Sequence, residues 1–447
     1  MMTLPDFVQA FISNFKKHNF EIFVVGGTVR GLVMKRETTD WDFTTNATPE
    51  EIMKLYPDSF YNNQFGTVGI PQDIDGKQTV FEVTTYRTET SYTNTRHPDA
   101  VVWAKTVEED LSRRDFTINA MAYDGKTLID PYGGQADIEK QIIKSVGEPD
   151  TRFNEDALRL MRAVRQAAQL GFTIEEKTHE SIKKNAELIT KISWERIRDE
   201  LFKLLSSTHP ADGIMLLKET GLLQHILPEV EASFAISQVS PKRHHIYDVG
   251  THLVESLRHC ESTDPVTRLA TLIHDIGKVK TYRKDETGLI TFYNHEVVGA
   301  KQAEVIADRL KLSNKQKDKL VTLVAHHQFT VTEEQTDKAI RRFIRNVTLE
   351  YLDDMIALRL ADRIGSGAAP TSWRTELFRK RLEEVQQVPF SISDLKINGH
   401  DVMQTLGIDP GPQIGKVLEE IFAEVEEGKL QNERDGLLKK LEELKST

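Results

Sequence analysis

Hydrophobic and polar positions follow two periods along the chain, and the change from one to the other divides it. From Glu21, "EIFVV" predicts a strand, "GGTVRGLVMK" a glycine turn entering a helix, and "TDWDFTT" a second strand. "ATPEEIMKLYP" carries a helix start, with Thr48 to cap, Pro49 at the first helical position and Glu51 to close a capping box. "QTVFEVTTYR" predicts a further strand, with Val80, Glu82, Thr84 and Tyr86 on one face and Phe81, Val83 and Thr85 on the other. After "IDPYGG" the strand signals thin out, and from "NEDALRLMRAVRQAAQLGF" onward nearly every segment has helical periodicity. Breaks in the pattern fall at "VSPKRHH", "GSGAAPTSW" and "VPFSISD". The expected fold class is α+β: a small head of mixed sheet and helices over residues 1–147, then all-α segments at 148–238, 239–366 and 367–447.

Composition adds boundaries to this picture. The 447 residues correspond to roughly three domains at the usual ~150 residues each. Hydrophobic residues at 39% and charged residues at 28% exclude global disorder. No apolar run approaches the ~20 residues of a membrane-spanning helix, and "MMTLPDF" lacks the basic-then-apolar pattern of a signal peptide. The single cysteine, Cys260, excludes an intramolecular disulfide framework and fits a reducing compartment. The expectation is a cytoplasmic protein with no membrane partner; the sequence leaves its oligomeric state open. A net charge of −11 argues against wholesale coating of nucleic acid and leaves room for a local basic groove.

Within "TTDWDFTT", residues two apart on a strand share a face, so Asp40 and Asp42 project side by side. Two such carboxylates repel unless a cation lies between them, and Mg²⁺ commonly takes one or two carboxylates plus substrate phosphates. An isolated D-x-D is more often a solvated strand end. Here Gly26 and Gly27 sit between a strand and a helix just upstream, where backbone amides can cradle phosphate, and Arg30 adds a fixed positive charge. Together these features resemble the signature of polymerase-β-like nucleotidyltransferases. Glu82 is then a candidate third catalytic carboxylate, with an ion pair to Arg87 as its alternative.

"LSRRDFTINAMAYD" and the following "IDPYGGQADIEKQIIKSVGEPDTRFNEDALRLMRAVR" resemble the bacterial class II tRNA nucleotidyltransferases, the CCA-adding enzymes, and their poly(A) polymerase relatives. The resemblance implies that Arg113, Arg114, Asp115 and Asn119, the R-R-D-x-x-x-N motif, contact the nucleotide's sugar and phosphates, with Asp115 on the ribose 2′-hydroxyl. It places the E-D-x-x-R motif on Glu155, Asp156 and Arg159, with Arg162 on the same helix. Asp156 and Arg159, three apart on a helix, are equally placed for a simple ion pair. As a base reader, the carboxylate would accept from the exocyclic amine of cytosine or adenine while the arginine donates. The polar segment that includes Arg87, Glu89, Tyr92 and Arg96 resembles the flexible loop of full CCA-adding enzymes. "SWERIRDEL", with Glu195, Arg196 and Glu200, resembles a structural neck helix of the family.

Eight of the fourteen histidines fall between residues 244 and 327. "ATLIHDIGKVK", preceded by "DVGTHLVES" and followed by "ALRLADRIG", resembles the HD phosphohydrolase superfamily. By position this implies metal ligands at His252, His274, Asp275 and Asp362. His295 and His326 could orient phosphate or hold a second ion, and Lys278 could contact phosphate. Core histidines bonded to carbonyls remain an even alternative for His259 and His327. Imidazole with carboxylate suits a divalent transition ion.

The expected activity is template-independent addition or repair of the tRNA 3′-terminal CCA from CTP and ATP with Mg²⁺. Partial A-adding, CC-adding and poly(A) enzymes share this chemistry. From other classes come an HD phosphohydrolase whose head only binds RNA, and a tRNA-binding chaperone without metal chemistry. The acidic run Glu419, Glu420, Glu424, Glu426 and Glu427 makes tRNA contact by that face improbable.

Overall fold

The computed structural model describes residues 2–38, 40–61, 66–74, 76–90, 100–238, 246–329, 335–369, 373–385, 392–427 and 429–445. Chain contacts divide it into two compact units: Met1–Phe234 with Asp308–Leu312, and Ala235–Ala307 with Ser313–Thr447. Among the described residues no helix is long and apolar enough to cross a membrane.

The first unit opens with helix α1 (Asp6–Lys17), then β1 (Ile22–Val25), α2 (Gly27–Val33), β2 (Asp42–Thr45) and α3 (Pro49–Leu55). The α3 start forms as the sequence predicts, with reciprocal Thr48 and Glu51 hydrogen bonds and Pro49 in the first turn. Strands β3 (Phe60–Tyr61), β4 (Thr67–Ile74) and β5 (Lys77–Thr85) follow, then the hairpin β6 (Arg87–Thr90) and β7 (Ala100–Trp103) and helix α4 (Val107–Ser112). Strands β8 (Ala122–Tyr123) and β9 (Leu128–Ile129) complete a seven-stranded sheet of order β3-β4-β5-β2-β1-β8-β9. Strands β2 and β5 are parallel neighbours, with Asp42 opposite Glu82.

The face behind those acids explains why the strands hold. Phe43 and Phe81 alternate with Asp42 and Glu82, so they point the other way and pack at 5.3 Å between centroids. Phe11 of α1 meets Phe43 at 4.8 Å and Phe81 at 5.0 Å. Phe43 is fully buried, so Phe43→Ala should cost about 3–5 kcal/mol in urea unfolding, a loss carried by the packing beneath the acids.

Helices α5 (Gly134–Glu139), α6 (Pro149–Glu155), α7 (Leu158–Leu170), α8 (Glu176–Asn185), α9 (Trp194–Leu205), α10 (Pro210–Glu219), α11 (Leu223–Ile226) and α12 (Pro228–Ser233) complete this unit. The second unit contains α13 (Val249–Arg258), α14 (Pro265–Ile273), α15 (Lys278–Thr281), α16 (His295–Arg309), α17 (Asn314–His326), α18 (Asp337–Val347), α19 (Leu352–Gly365) and α20 (Trp373–Val385). Its last helices are α21 (Gly399–Leu406), α22 (Pro412–Glu426) and α23 (Arg434–Lys445). The three pack around Leu395, Val402, Ile421, Leu437 and Leu441.

Candidate functional site

In the first unit, strand β2 begins at Asp42, so Asp40 lies just before the strand. The alternation nevertheless holds: Trp41 and Phe43 are buried, while Asp40 and Asp42 lie on the opposite, solvent-facing side, where neighbouring groups still strip part of the water from the Asp42 carboxyl. The parallel register then sets Glu82 beside Asp42, bringing the sequence-selected acids to one sheet face. The Asp42 carboxyl is raised above the usual carboxylate range. Enclosure by its surroundings is the largest cause; the charges of Glu82 and Asp40 add to it, and Arg114 opposes. Oxygen donors crowded in this way suit a hard divalent cation.

Gly26 caps α2 with φ +67°, a left-handed conformation that favours glycine. A β-carbon there would lie 3.2 Å from Arg114 Nη1 and 4.0 Å from Asp42 Oδ2. The bare backbone thus lets the guanidinium approach the acids. Arg114 Nε is buried with no hydrogen-bond partner among the described residues, which leaves a donor for an anion.

Behind this runs a polar network that fixes the other selected residues. Arg30 on α2, whose Nη2 lies 3.5 Å from where a Gly27 β-carbon would stand, donates to Asn119 Oδ1. Burial lowers the Arg30 guanidinium to about 10 despite the nearby Asp115. Asn119 Nδ2 donates to Asp115 Oδ1 at 3.0 Å and to Gln166 Oε1 at 3.1 Å. Arg162 on α7 grips Asp115 Oδ2 through Nε at 2.8 Å and Nη2 at 2.6 Å. Burial alone would push the Asp115 carboxyl up; the Arg162 charge and the hydrogen bonds from Asn119 and Arg162 hold it well below the usual range.

Sequence reasoning missed Asp110. Its side chain is fully buried, and it accepts from Arg113 Nε at 3.0 Å and Nη2 at 2.7 Å, and from Arg114 Nη2 at 3.4 Å. It also accepts from Thr44 Oγ1 at 3.3 Å and from the Arg87 amide at 3.4 Å. One carboxylate therefore ties both motif arginines to the acid-bearing strand β2 and to the start of β6. The available signal was its place three and four residues before Arg113 and Arg114, which follow directly on the end of its helix.

The E-D-x-x-R reading needs a correction. Asp156 and Arg159 are not three apart on one helix, because α6 ends at Glu155 and α7 starts at Leu158. Asp156 sits extended at the break, accepting the Leu158 amide at 3.0 Å and Arg196 Nη2 of α9 at 2.8 Å. Arg159 instead bonds Glu155 Oε2 at 2.6 Å and the Arg113 carbonyl at 3.0 Å. The Arg159 amide donates to the Asp156 carbonyl at 3.0 Å, but among the described residues the two side chains bond other partners, which hold both from behind. Glu200 of the same α9 holds Arg165 at 2.5 Å. Tyr92 and Arg96 lie outside the described residues.

The second unit assembles its own cluster from five helices. His252 comes from α13, His274 and Asp275 from the end of α14, His295 from the start of α16, His327 from the end of α17, and Asp362 from α19. His252 Nε2 lies 3.4 Å from Asp275 Oδ2 and 3.3 Å from Asp362 Oδ1, and His274 Nε2 lies 3.5 and 3.6 Å from the same atoms. On its other side, Asp275 Oδ1 is 3.0 Å from His295 Nε2 and 3.4 Å from His327 Nε2. Two groups of ligand atoms, each within 4.8 Å, thus share Asp275: His252 with His274, and His295 with His327. His327 takes the place expected of His326. Successive helical residues point about 100° apart, so only one of an adjacent pair can face the centre.

Backbone carbonyls orient these rings. The Nδ1 atoms of His274, His295 and His327 bond the carbonyls of Thr271, Phe292 and Val324 at 2.8, 2.8 and 2.7 Å, turning each Nε2 inward. His295 Nε2 and His327 Nε2 are buried with no hydrogen-bond partner among the described residues. Burial lowers His274, yet Asp275 and Asp362 outweigh it and raise it to about 10. Gly277 makes the approach of α16 to this cluster feasible: a β-carbon there would stand 2.0 Å from the His295 carbonyl oxygen. Lys278 Nζ reaches Asp275 Oδ2 at 2.5 Å. His259 ends α13, and His244 and His245 lie outside the described residues.

A mixed sheet carrying adjacent acids, a glycine helix start and an arginine turned toward them defines the first unit's class as a nucleotidyltransferase head. Comparison with known proteins agrees. The Poly A polymerase head domain family matches residues 22–144, the probable RNA and SrmB-binding site of polymerase A residues 171–234, and the putative tRNA nucleotidyltransferase domain 2 residues 283–441. The CCA-adding enzyme of Geobacillus kaustophilus is 45% identical over 226 residues, 50% of this chain; the match spans about half of that relative, 55% of its length. That of Geobacillus stearothermophilus is 31% identical over 97% of this chain and 96% of its own. The A-adding tRNA nucleotidyltransferase of Deinococcus radiodurans is 36% identical over 72% of this chain and 75% of its own. The crystal structure of the Bacillus stearothermophilus CCA-adding enzyme in complex with CTP superposes with a TM-score of 0.72 at 28% identity, covering 98% of this chain and 97% of that one. The chain belongs to the CCA-adding enzyme family of tRNA nucleotidyltransferases.

Proposed function

We propose that this chain adds or repairs the 3′-terminal CCA of tRNA, using CTP and ATP, in the cytoplasm. The observation that carries the reading is the Asp42–Glu82 register beside Gly26 and Arg114. The family implies divalent metal use, and the carboxylate set fits Mg²⁺, held by Asp40 and Asp42. When bound, such ions lower the pKa of the tRNA 3′-hydroxyl and neutralise the departing pyrophosphate. Glu82 is assigned to help take the hydroxyl proton. Arg114, with Gly26 and Gly27, is assigned to the triphosphate, and Asp115, fixed by Arg162 and Asn119, to the ribose. Asp156 and Arg159 are assigned to the base, and their anchorage on Arg196, Glu155 and the Arg113 carbonyl suits a template that must not adapt to the wrong base. The neck helices and the helical tail are assigned to the tRNA.

The Deinococcus relative makes A-only addition the alternative. Supplying each nucleotide singly to tRNA ending before CCA and to tRNA ending in CC separates the two. C should join the first and A the second, with U and G joining neither; A on the second with no C on the first would make this an A-adding enzyme.

The buried, inward-turned Nε2 atoms around Asp275 favour a second reading beside the first, a divalent transition-ion site for phosphate-ester hydrolysis in the second unit. Its donor set of imidazoles and carboxylates fits such an ion, and the two groups sharing Asp275 fit two ions. With the head's carboxylates removed by Asp40→Asn and Asp42→Asn, protein loaded with Mn²⁺ and freed of excess should retain two ions per chain, falling to one on adding His327→Ala and staying at two on adding His326→Ala. Equal loss in both variants would contradict the assignment.

A further inference from the structure

The His and Asp cluster opens into a cavity of about 570 Å³, whose wall includes Gln328, Arg359 and Arg363. The same three residues also line a second cavity of about 320 Å³, to which Arg374 and Arg379 of α20 contribute. Among the described residues, the wall of the second cavity therefore has four guanidinium groups and no carboxylate, in a chain whose net charge is −11. Arg359 stands at the junction, donating to Asp362 Oδ2 at 2.6 Å with its guanidinium 5.7 Å from the Phe329 ring centre. Arg363 donates to the Ala369 carbonyl. Among the described residues, Arg363, Arg374 and Arg379 have no carboxylate at ion-pair distance. Arg374, 5.2 Å over the Trp373 ring, and Arg379 are exposed, and like charges gathered along one cavity repel. Such an arrangement is suited to an incoming polyanion, and forked guanidinium donors match phosphate oxygens.

We propose that the second unit binds a phosphate ester bearing a second phosphate, with one phosphate at the Asp275 cluster and the other among Arg359, Arg363 and Arg374. The volume suits a nucleotide, since ligand pockets commonly run about 300–1,000 Å³. Phe329, with Arg359 over it, offers a face for the nucleoside between the two phosphates. The placement of the first phosphate rests on the metal-site reading; the arginine cavity does not.

Calorimetric titration of the full chain with adenosine 3′,5′-bisphosphate and with 5′-AMP, each with Mn²⁺ and with EDTA, tests this. The bisphosphate should bind about tenfold more tightly than AMP. Arg374→Ala and Arg374→Glu, at an exposed helix position, should reduce it to the AMP level with unchanged unfolding temperatures, while Arg114→Ala in the head should leave the preference intact. Equal affinities in the parent protein, a preference surviving both Arg374 variants, or one lost with Arg114→Ala would overturn the proposal. If the metal-site reading alone is wrong, Mn²⁺ adds no affinity for either ligand while the Arg374-dependent preference persists. An RNA dinucleotide with a 3′ phosphate, run alongside, tells a free nucleotide from an RNA end: tighter binding of the dinucleotide supports the two-phosphate site and identifies the RNA end as its source.

Discussion

Asp42→Asn should reduce nucleotide addition by about a thousandfold or more while leaving the fold at least as stable as the parent. The two halves of this expectation share a cause. Asp42 ionises reluctantly because its surroundings enclose it and Glu82 stands beside it on the next strand. A carboxyl whose folded pKa is raised favours folding below its unfolded value, and that contribution is lost as pH rises through the folded value. At neutral pH the ionised group therefore opposes folding, and the neutral amide removes the opposition. In EDTA, scanning calorimetry of Asp42→Asn should give an unfolding temperature at or above that of the parent at pH 7, with the difference closing toward pH 4. Retained addition, or marked loss of stability, would refute the assignment.

Asp110→Ala should produce the opposite pairing, a large loss of stability with a loss of nucleotide affinity. Removing this buried acid leaves Arg113 and Arg114 without the carboxylate that holds them, and breaking a buried pair costs about 3–5 kcal/mol. Burial alone would raise Asp110, but Arg113 and Arg114 outweigh it and hold the carboxyl below its ordinary value. Its stabilisation is therefore present above the unfolded pKa and is lost as pH falls through the folded one. Urea unfolding should show the full deficit at pH 7 and a narrowing deficit in acid. Because Arg114 is then unfixed, KM for both CTP and ATP should rise more than kcat falls. Asp110→Asn should unfold closer to the parent yet keep the KM defect, which a purely structural role would not leave behind.

Legibility in the sequence followed the range of the interactions. The α3 capping box and the alternation of β5 depend on neighbours a few residues away, and both form as read. Strand β4 is not legible in the sequence, because Gly69 and Pro71 interrupt its pattern. Pro71 is tolerated there because β3 pairs only as far as Gly69, leaving that part of β4 at the sheet edge. The Asp42–Glu82 register, the Asp110 network and the Asp156–Arg196 bond join residues about 40 or more apart or on separate elements, and periodicity carries no information about them. The break between α6 and α7 leaves no mark in the sequence because both flanks have helical periodicity, and the Asp156 carboxylate satisfies the amide exposed by the break. His327 was exchanged for His326 because a one-residue step at a helix end decides which ring faces inward.

The central claim is that the acids on β2 serve an enzyme that builds the whole CCA end. The most direct measurement is a single-nucleotide-resolution gel of tRNA lacking CCA, incubated with this protein, Mg²⁺, CTP and ATP. Extension by three nucleotides with both substrates, and by two with CTP alone, is the predicted result; failure to incorporate C would contradict it.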